Sequence, residues 1–327
     1  MCFFDADTVR RRMNVWGGER KPFLFAVDFE MEEGIFVGEP LARTEVLFSV
    51  NGVGNRPAAV GAVREADAVL EARPMEYDAY ARRFGVVRRG LLRGDSFLTN
   101  LTIRTPVTAG LTLEAIFRRA EAPYLLYVPG RFVCFSPERF VRIADGRIST
   151  NPMKGTIAAA VPDAWRKILA DAKETAEHNT IVDLLRNDLS IHAEGVHVER
   201  FRYIDRIAAR RGDILQVSSE IVGNLPQGYG ARMGDILFDM LPAGSVSGAP
   251  KSSTLRIIRE AEGGPRGYYT GVFGYFDGHE LDSAVLIRFI EEEDGRLYFR
   301  SGGGITARSD CRSEYLECIE KIYLPFR

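Results

Sequence analysis

A chain of 327 residues with 46% hydrophobic and 27% charged side chains has the composition of a soluble globular protein with a sizeable core. Its 43 basic and 45 acidic residues nearly cancel, to a net charge of -2, which argues against a nucleic-acid or anionic-membrane surface as its main business. Four cysteines without Cys-x-x-Cys spacing, four scattered histidines, no signal-peptide order and no apolar run of spanning length point away from zinc and membrane, toward the cytoplasm.

In chain order, the first part reads as strand-rich. "KPFLFAVDFE" and "TEVLFSVNG" are short apolar runs bounded by Gly, Asn and Pro. "MEYDAYARRFGVVRRGLLRGD" has helical spacing, with Tyr77, Tyr80, Phe84 and Val87 on one side and a break at Gly94. "SFLTNLTIRTPV" alternates like a strand, and Thr112 opens a short helix over "TLEAIFRRA". "YLLYVPG", "RFVCFS" and "RFVRIADGRIST" are strands joined by Pro-Gly and Asp-Gly turns. "PDAWRKILADAKETAEHNTIVDLLRNDLS" predicts one long helix opened by Pro162-Asp163.

Beyond it, strand and helix alternate: "GDILQVSSEIVGNL", a Gly-rich loop at 243–250, a helix at 251–261, strands at 268–276, 282–291 and 296–301, then "GGG" and a final helix. No linker divides the chain. The expectation is one catalytic domain over 1–327, with a strand-rich part at 1–110 and a motif-bearing core at 111–327.

Some residues carry chemical possibilities. Glu174 and Glu177 are three apart on one helical pattern, and Glu314 and Glu317 repeat that spacing on the last. Two such pairs could meet around a hard divalent cation, which takes oxygen ligands; solvated helix faces are the alternative. "AGSVSGAPKSS" and "SGGGITARSD" place glycines before helices, where backbone amides suit an anion; tight-turn glycines are the alternative. The first misses the phosphate-loop spacing, and Pro250 removes one amide, so a carboxylate suits it as well as a phosphate. Arg288 is a charge inside an apolar strand pattern, and Glu138 follows a proline directly after a strand. Lys154, between Pro152-Met153 and Gly155-Thr156, sits in a stretch too short and broken for a helix, where an exposed turn lysine would be anonymous.

Taken in order, "FSPERF", "NPMKGT", "AEHNTIVDLLRNDLS", "GSVSGAPK", "GYYTGVFGYF", "SGGGI" and "EYLE" resemble the motifs of the chorismate-utilising enzymes, over most of residues 123–327. "GDSFLTNLT" extends the likeness toward the N-terminus. The resemblance implies an α/β fold of the α+β type, two packed antiparallel-rich sheets flanked by helices, with chorismate buried between the sheets. It implies Mg2+ held by Glu177 and Glu317, with Glu174 and Glu314 beside them or acting through water. Glu138 matches the family's acid/base glutamate. Arg288 and Tyr269 would hold the pyruvyl carboxylate, with amides around Gly303 and Ser247; Thr156, Gly248, Gly304 and Lys321 complete the implied substrate set.

The branch point is Lys154. The family's anthranilate, isochorismate and salicylate synthases usually carry alanine there, whereas the aminodeoxychorismate-forming members carry a nucleophilic lysine. The resemblance therefore implies amination of chorismate through a covalent lysine intermediate. Ammonia would come from a separate glutamine amidotransferase subunit, and the product would feed 4-aminobenzoate and folate synthesis. Anthranilate or isochorismate synthesis is the alternative, and an inactive glutaminase-binding component is a further one. The sequence departs from relatives at Leu215, where they often carry histidine, and at Ser247, where threonine is commoner. It lacks the Leu-Glu-Ser element of a tryptophan pocket.

A lysine amine is a nucleophile only when neutral, about once in ~2,500 molecules at pH 7 for an unperturbed group. Burial and neighbouring cations raise that fraction, and Pro152 and Gly155 would aim the amine.

Overall fold

The computed structural model describes residues 2–58, 69–207 and 213–326, apart from the side chain of Lys173. Among these, two large sheets are built wholly of antiparallel pairs. The first runs Phe3–Asp5, Glu33–Gly38, Phe23–Val27, Val272–Phe276, Leu281–Val285, Arg139–Ala144, Arg147–Thr150 and Ile214–Asn224. Met153–Ala158 continues along the same edge of Ile214–Asn224, and Glu194–Ile207 lies on its other edge. The second runs Gly248–Ala249, Leu98–Ala109, Arg296–Ile305, Phe289–Glu293, Phe132–Ser136, Tyr124–Val128, Leu47–Val50 and Val53–Gly54, with Leu70–Ala72 on Leu98–Ala109. Strands from the N-terminal part thus lie beside C-terminal ones in both sheets.

The run "FLFAV" has no polar face because both faces of its strand are covered. Phe23, Phe25 and Val27 pack with the helices Ala6–Gly18 and Met233–Asp239 on the outside, while Leu24 and Ala26 join Phe48, Leu126, Phe132 and Phe289 between the sheets. Burying each of these phenylalanines contributes about 1.5–3 kcal/mol.

The predicted helix at 75–95 is Tyr77–Leu92, with Tyr80, Phe84, Val87 and Leu91 buried at helical spacing, and Thr112 caps Leu113–Arg119. The N-terminal helix Ala6–Gly18 departs from the strand-rich reading; Asp5 caps it by accepting from the Thr8 amide at 2.8 Å. The single helix read over 162–190 is two, Ala164–Ala170 and Ala172–Ser190. The chain turns at Asp171, whose carboxylate caps the second helix through the Glu174 amide. The predicted strand 282–291 is likewise two, one in each sheet, and the strand Glu194–Ile207 was not foreseen. No helix among the described residues is long and apolar enough to cross a membrane.

Candidate active site

The chain crosses between sheets at two places bearing candidate residues. Pro137 and Glu138 join Phe132–Ser136 of the second sheet to Arg139–Ala144 of the first. Leu286, Ile287 and Arg288 join Leu281–Val285 of the first to Phe289–Glu293 of the second. A side chain at such a crossing has no ladder to lie against and can face the space between the layers. Glu138 and Arg288 both line one cavity of about 550 Å3 there. Arg288 is therefore not the strand-interior charge expected from the sequence. Its backbone is left-handed, φ 54°, a strained state for a bulky residue. Its carbonyl accepts the Phe135 amide, and its buried Nε has no hydrogen-bond partner among the described residues.

Lys154 enters from the first sheet. The stretch read as a broken turn is the strand Met153–Ala158, interrupted by a bulge between Met153 and Thr156, with Gly155 at φ +81°. A bulge re-aims side chains that regular alternation would fix. Lys154 Nζ lies 3.9 Å from Glu177 Oε2. Opposite stands the Gly-rich strand of the second sheet: a Cβ on Gly304 would lie 3.3 Å from Lys154 Nζ and 3.8 Å from Glu177 Oε2.

The four glutamates line the same cavity from two helices, Ala172–Ser190 and Cys311–Glu320. Glu177 is 5% exposed and Glu314 2%. A Cβ on Gly303 would lie 3.5 Å from both Glu314 Oε2 and Glu317 Oε1, so the glycine strand runs directly beside these oxygens. Lys321 Nζ donates to Glu317 Oε1 at 2.6 Å and to the Gly302 carbonyl at 2.7 Å. All four are hard oxygen donors, the type that suits Mg2+, which keeps several waters and takes few protein ligands. They are not gathered into a ready cage: no group of three or more His, Cys, Asp or Glu stands at metal-holding spacing among the described residues.

Glu138 has its backbone fixed at both ends, its amide donating to Ser136 Oγ and its carbonyl accepting from Val285. Its Oε1 accepts from Ser245 Oγ at 2.5 Å. Although the residue keeps some surface, its carboxyl is packed round by protein, and burial pushes its pKa up. The Ser245 hydrogen bond and the Lys154, Lys321 and Arg288 cations oppose that rise. Burial also pushes the Tyr269 phenol up.

Of the residues implied by the resemblance, Glu138, Lys154, Thr156, Glu174, Glu177, Tyr269, Arg288, Gly303, Gly304, Glu314, Glu317 and Lys321 all line the cavity. Ser247 and Gly248 stand behind its wall. The Ser247 hydroxyl and amide both bond the Ala243 carbonyl, and Gly248 pairs with Thr99, where a Cβ would meet the Leu98 carbonyl at 1.9 Å. That loop presents Ser245 and Val246 instead. Nor does "SGGG" open a helix: Gly303 and Gly304 lie in the strand Arg296–Ile305, well before the helix that starts at Cys311. On Ile214–Asn224 it is Gln216, not Leu215, that reaches the cavity, since successive strand residues face opposite ways. Gln216 and Arg300 had no signal of their own, and Ser245, though inside the quoted "GSVSGAPK", was not singled out; the pairing of distant segments brings all three here.

With this geometry in place, comparison with known proteins decides the family. A family model described as chorismate binding enzyme matches residues 56–327. The chain belongs to the chorismate binding enzymes. Among relatives of this chorismate binding enzyme, a Haemophilus influenzae protein called an uncharacterized PabA-like protein is 49% identical over 318 residues, 95% of this chain and 94% of its own. Aminodeoxychorismate synthase component 1 of Bacillus subtilis is 30% identical over 267 residues, 77% of this chain and 56% of its own. The crystal structure of anthranilate synthase component I from Streptococcus pneumoniae superposes with a TM-score of 0.66 at 30% identity, over 78% of this chain and 59% of that one. The two-sheet architecture expected from the motifs is the fold of this family.

Proposed function

We propose that the chain is the aminating synthase, component I of aminodeoxychorismate synthase, converting chorismate and ammonia to 4-amino-4-deoxychorismate. One observation carries the choice: Lys154 brings a primary amine into the cavity, between a buried carboxylate and a glycine strand, from a bulge that aims it. Anthranilate and isochorismate formation need no such amine.

Replacing the ring hydroxyl at carbon 4 by an amine with retained configuration calls for two displacements. The Lys154 amine adds at carbon 2, the ring double bonds shift, and the carbon 4 hydroxyl departs as water with a proton from Glu138. Ammonia then adds at carbon 4, the double bonds shift back, and the lysine leaves carbon 2. Arg288, held in a strained conformation beside Tyr269, is placed to hold the pyruvyl carboxylate. Glu177 and Glu317, with Glu174 and Glu314 beside them, would hold Mg2+. The ion would neutralise the ring carboxylate and draw electron density from the ring. Ammonia is supplied by a separate glutamine amidotransferase subunit, and a lyase must follow to release pyruvate on the way to 4-aminobenzoate.

The test is direct. Purified protein, chorismate, Mg2+ and an ammonium salt should yield aminodeoxychorismate by mass spectrometry, and EDTA should suppress it. Anthranilate or isochorismate as the main product overturns the assignment. No turnover even with a glutaminase present favours a binding component.

A further inference from the structure

Ser245 and Glu138 are held in place independently of one another. Ser245 sits in the single 3-10 turn Gly244–Val246. The carbonyl of Val246 accepts from Arg266 Nη1 at 2.8 Å, and Lys251 ties the far side of the loop to Asp188 Oδ1 at 2.9 Å and to the Met240 carbonyl at 2.6 Å. Glu138 is fixed by its own backbone bonds to Ser136 and Val285. The 2.5 Å hydrogen bond between the two side chains therefore joins separately anchored groups.

A neutral carboxyl that accepts at one oxygen carries its proton on the other. While the Ser245 hydroxyl donates to Oε1, the proton of neutral Glu138 sits on Oε2. We infer that Ser245 is a positioning residue for Glu138, selecting the oxygen from which the proton passes to the departing ring hydroxyl. This rests on the reading of Glu138 as the acid of the amination. The groups facing Glu138 from the surrounding elements are Lys154 of the bulged strand, Lys321 at the end of the last helix and Arg288 at the sheet crossing; all three are cations and favour the carboxylate, as Ser245 does. Ser245 differs from them in having direction.

Removing the hydroxyl has two readable effects. The carboxyl is free to place its proton on either oxygen, which lowers kcat more than it changes KM. Burial also loses its main opponent, so the Glu138 pKa rises. An acid works while protonated and fails as pH rises through its pKa, so the alkaline limb of kcat moves to higher pH.

The experiment compares wild type with Ser245→Ala and Ser245→Thr. Ser245→Ala should lower kcat about 10–100-fold with KM for chorismate little changed, and shift the alkaline limb up by about one unit. Ser245→Thr, which keeps the hydroxyl, should restore both. Circular dichroism and urea unfolding establish that each variant is folded. An infrared difference titration of the ligand-free protein, each form against its Glu138→Gln counterpart, reads the carboxyl midpoint with no reaction needed. Equal midpoints in wild type and Ser245→Ala overturn the inference whatever the enzyme makes, and so does a fall in kcat with an unmoved limb. A raised midpoint in a protein that makes no aminodeoxychorismate supports the Ser245–Glu138 coupling and counts against the aminating assignment alone.

Discussion

Lys154 Nζ and Glu177 Oε2 stand 3.9 Å apart, a lysine on a bulged edge strand facing a carboxylate buried near the start of the long helix. The pair faces Gly304 of the opposite sheet, so the amine is flanked by a carboxylate on one side and by a close-packed glycine on the other. On the aminating assignment, Lys154→Ala should cut aminodeoxychorismate formation by about 10³-fold or more, while chorismate still binds. Product mass spectrometry and equilibrium binding measure the two. Rapid quench and intact-mass analysis of the wild type should reveal an adduct at Lys154.

Gly304→Ala would put a methyl 3.3 Å from Lys154 Nζ and 3.1 Å from Leu98 Cδ1. The leucine is packed, so the lysine must yield. The expected outcome is a loss in kcat of about 10–100-fold from a misplaced nucleophile, read by steady-state kinetics.

Glu317→Gln removes one of the proposed Mg2+ ligands and the anionic partner of Lys321. Calorimetric titration of the chorismate-bound protein should show Mg2+ affinity reduced by at least about tenfold. Removing Mg2+ with EDTA should abolish turnover in the wild type.

Arg266 is 1% exposed and ties three walls of the cavity together. It donates to the carbonyls of Val246 and Asn100 and to Thr270 Oγ1, and pairs through two bonds with Glu262. Thr270 is itself strained, at φ 64°. Arg266→Ala would leave a buried carboxylate and three acceptors without their donor. Denaturant unfolding should show a loss of about 3–5 kcal/mol.

His178 is 1% exposed, its Nε2 2.7 Å from Ser219 Oγ. Burial, then Arg202 and Lys154, lower its pKa to about 4 from the usual value near 6.5. Between those two values the unfolded chain binds a proton that the folded chain refuses. Stability is therefore full above about pH 6.5 and falls as the pH drops toward 4. Urea unfolding at pH 7 and 4.5 should show wild type losing about 2–3 kcal/mol more than His178→Gln, whose amide does not titrate.

Much of this site could be read from the sequence, because its residues sit in local patterns that also set their geometry. Glu174 and Glu177 needed only helical spacing to share a face, and Pro137 marks the turn that frees Glu138 from a strand. What escaped depends on partners far away in the chain. Lys154 read as a turn residue because its stretch lacks alternation, yet pairing with Ser218 and Gln216 makes it a strand and the bulge turns the lysine inward. Asp171 read as one more helical residue, although Asp is among the best helix caps. The resemblance implied that Ser247 and Gly248 face the substrate, but the loop pairs with Leu98 and Thr99 and leaves the two behind the cavity wall. The switch from Leu215 to Gln216 is a matter of one residue of register, which no local pattern settles.

Both sheets pair strands from distant parts of the chain, Leu98–Ala109 beside Arg296–Ile305 at the cavity and Phe23–Val27 beside Val272–Phe276 away from it. Such pairings close slowly, since large loops must be ordered before any contact rewards them. Helices form early and cheaply by comparison. On refolding, the helical signal should return well before chorismate binding does. During synthesis the carboxylates of Glu314 and Glu317 emerge after nearly every other wall of the cavity. A growing chain therefore holds Lys154 and Glu138 long before it has the two carboxylates of the last helix that share their cavity.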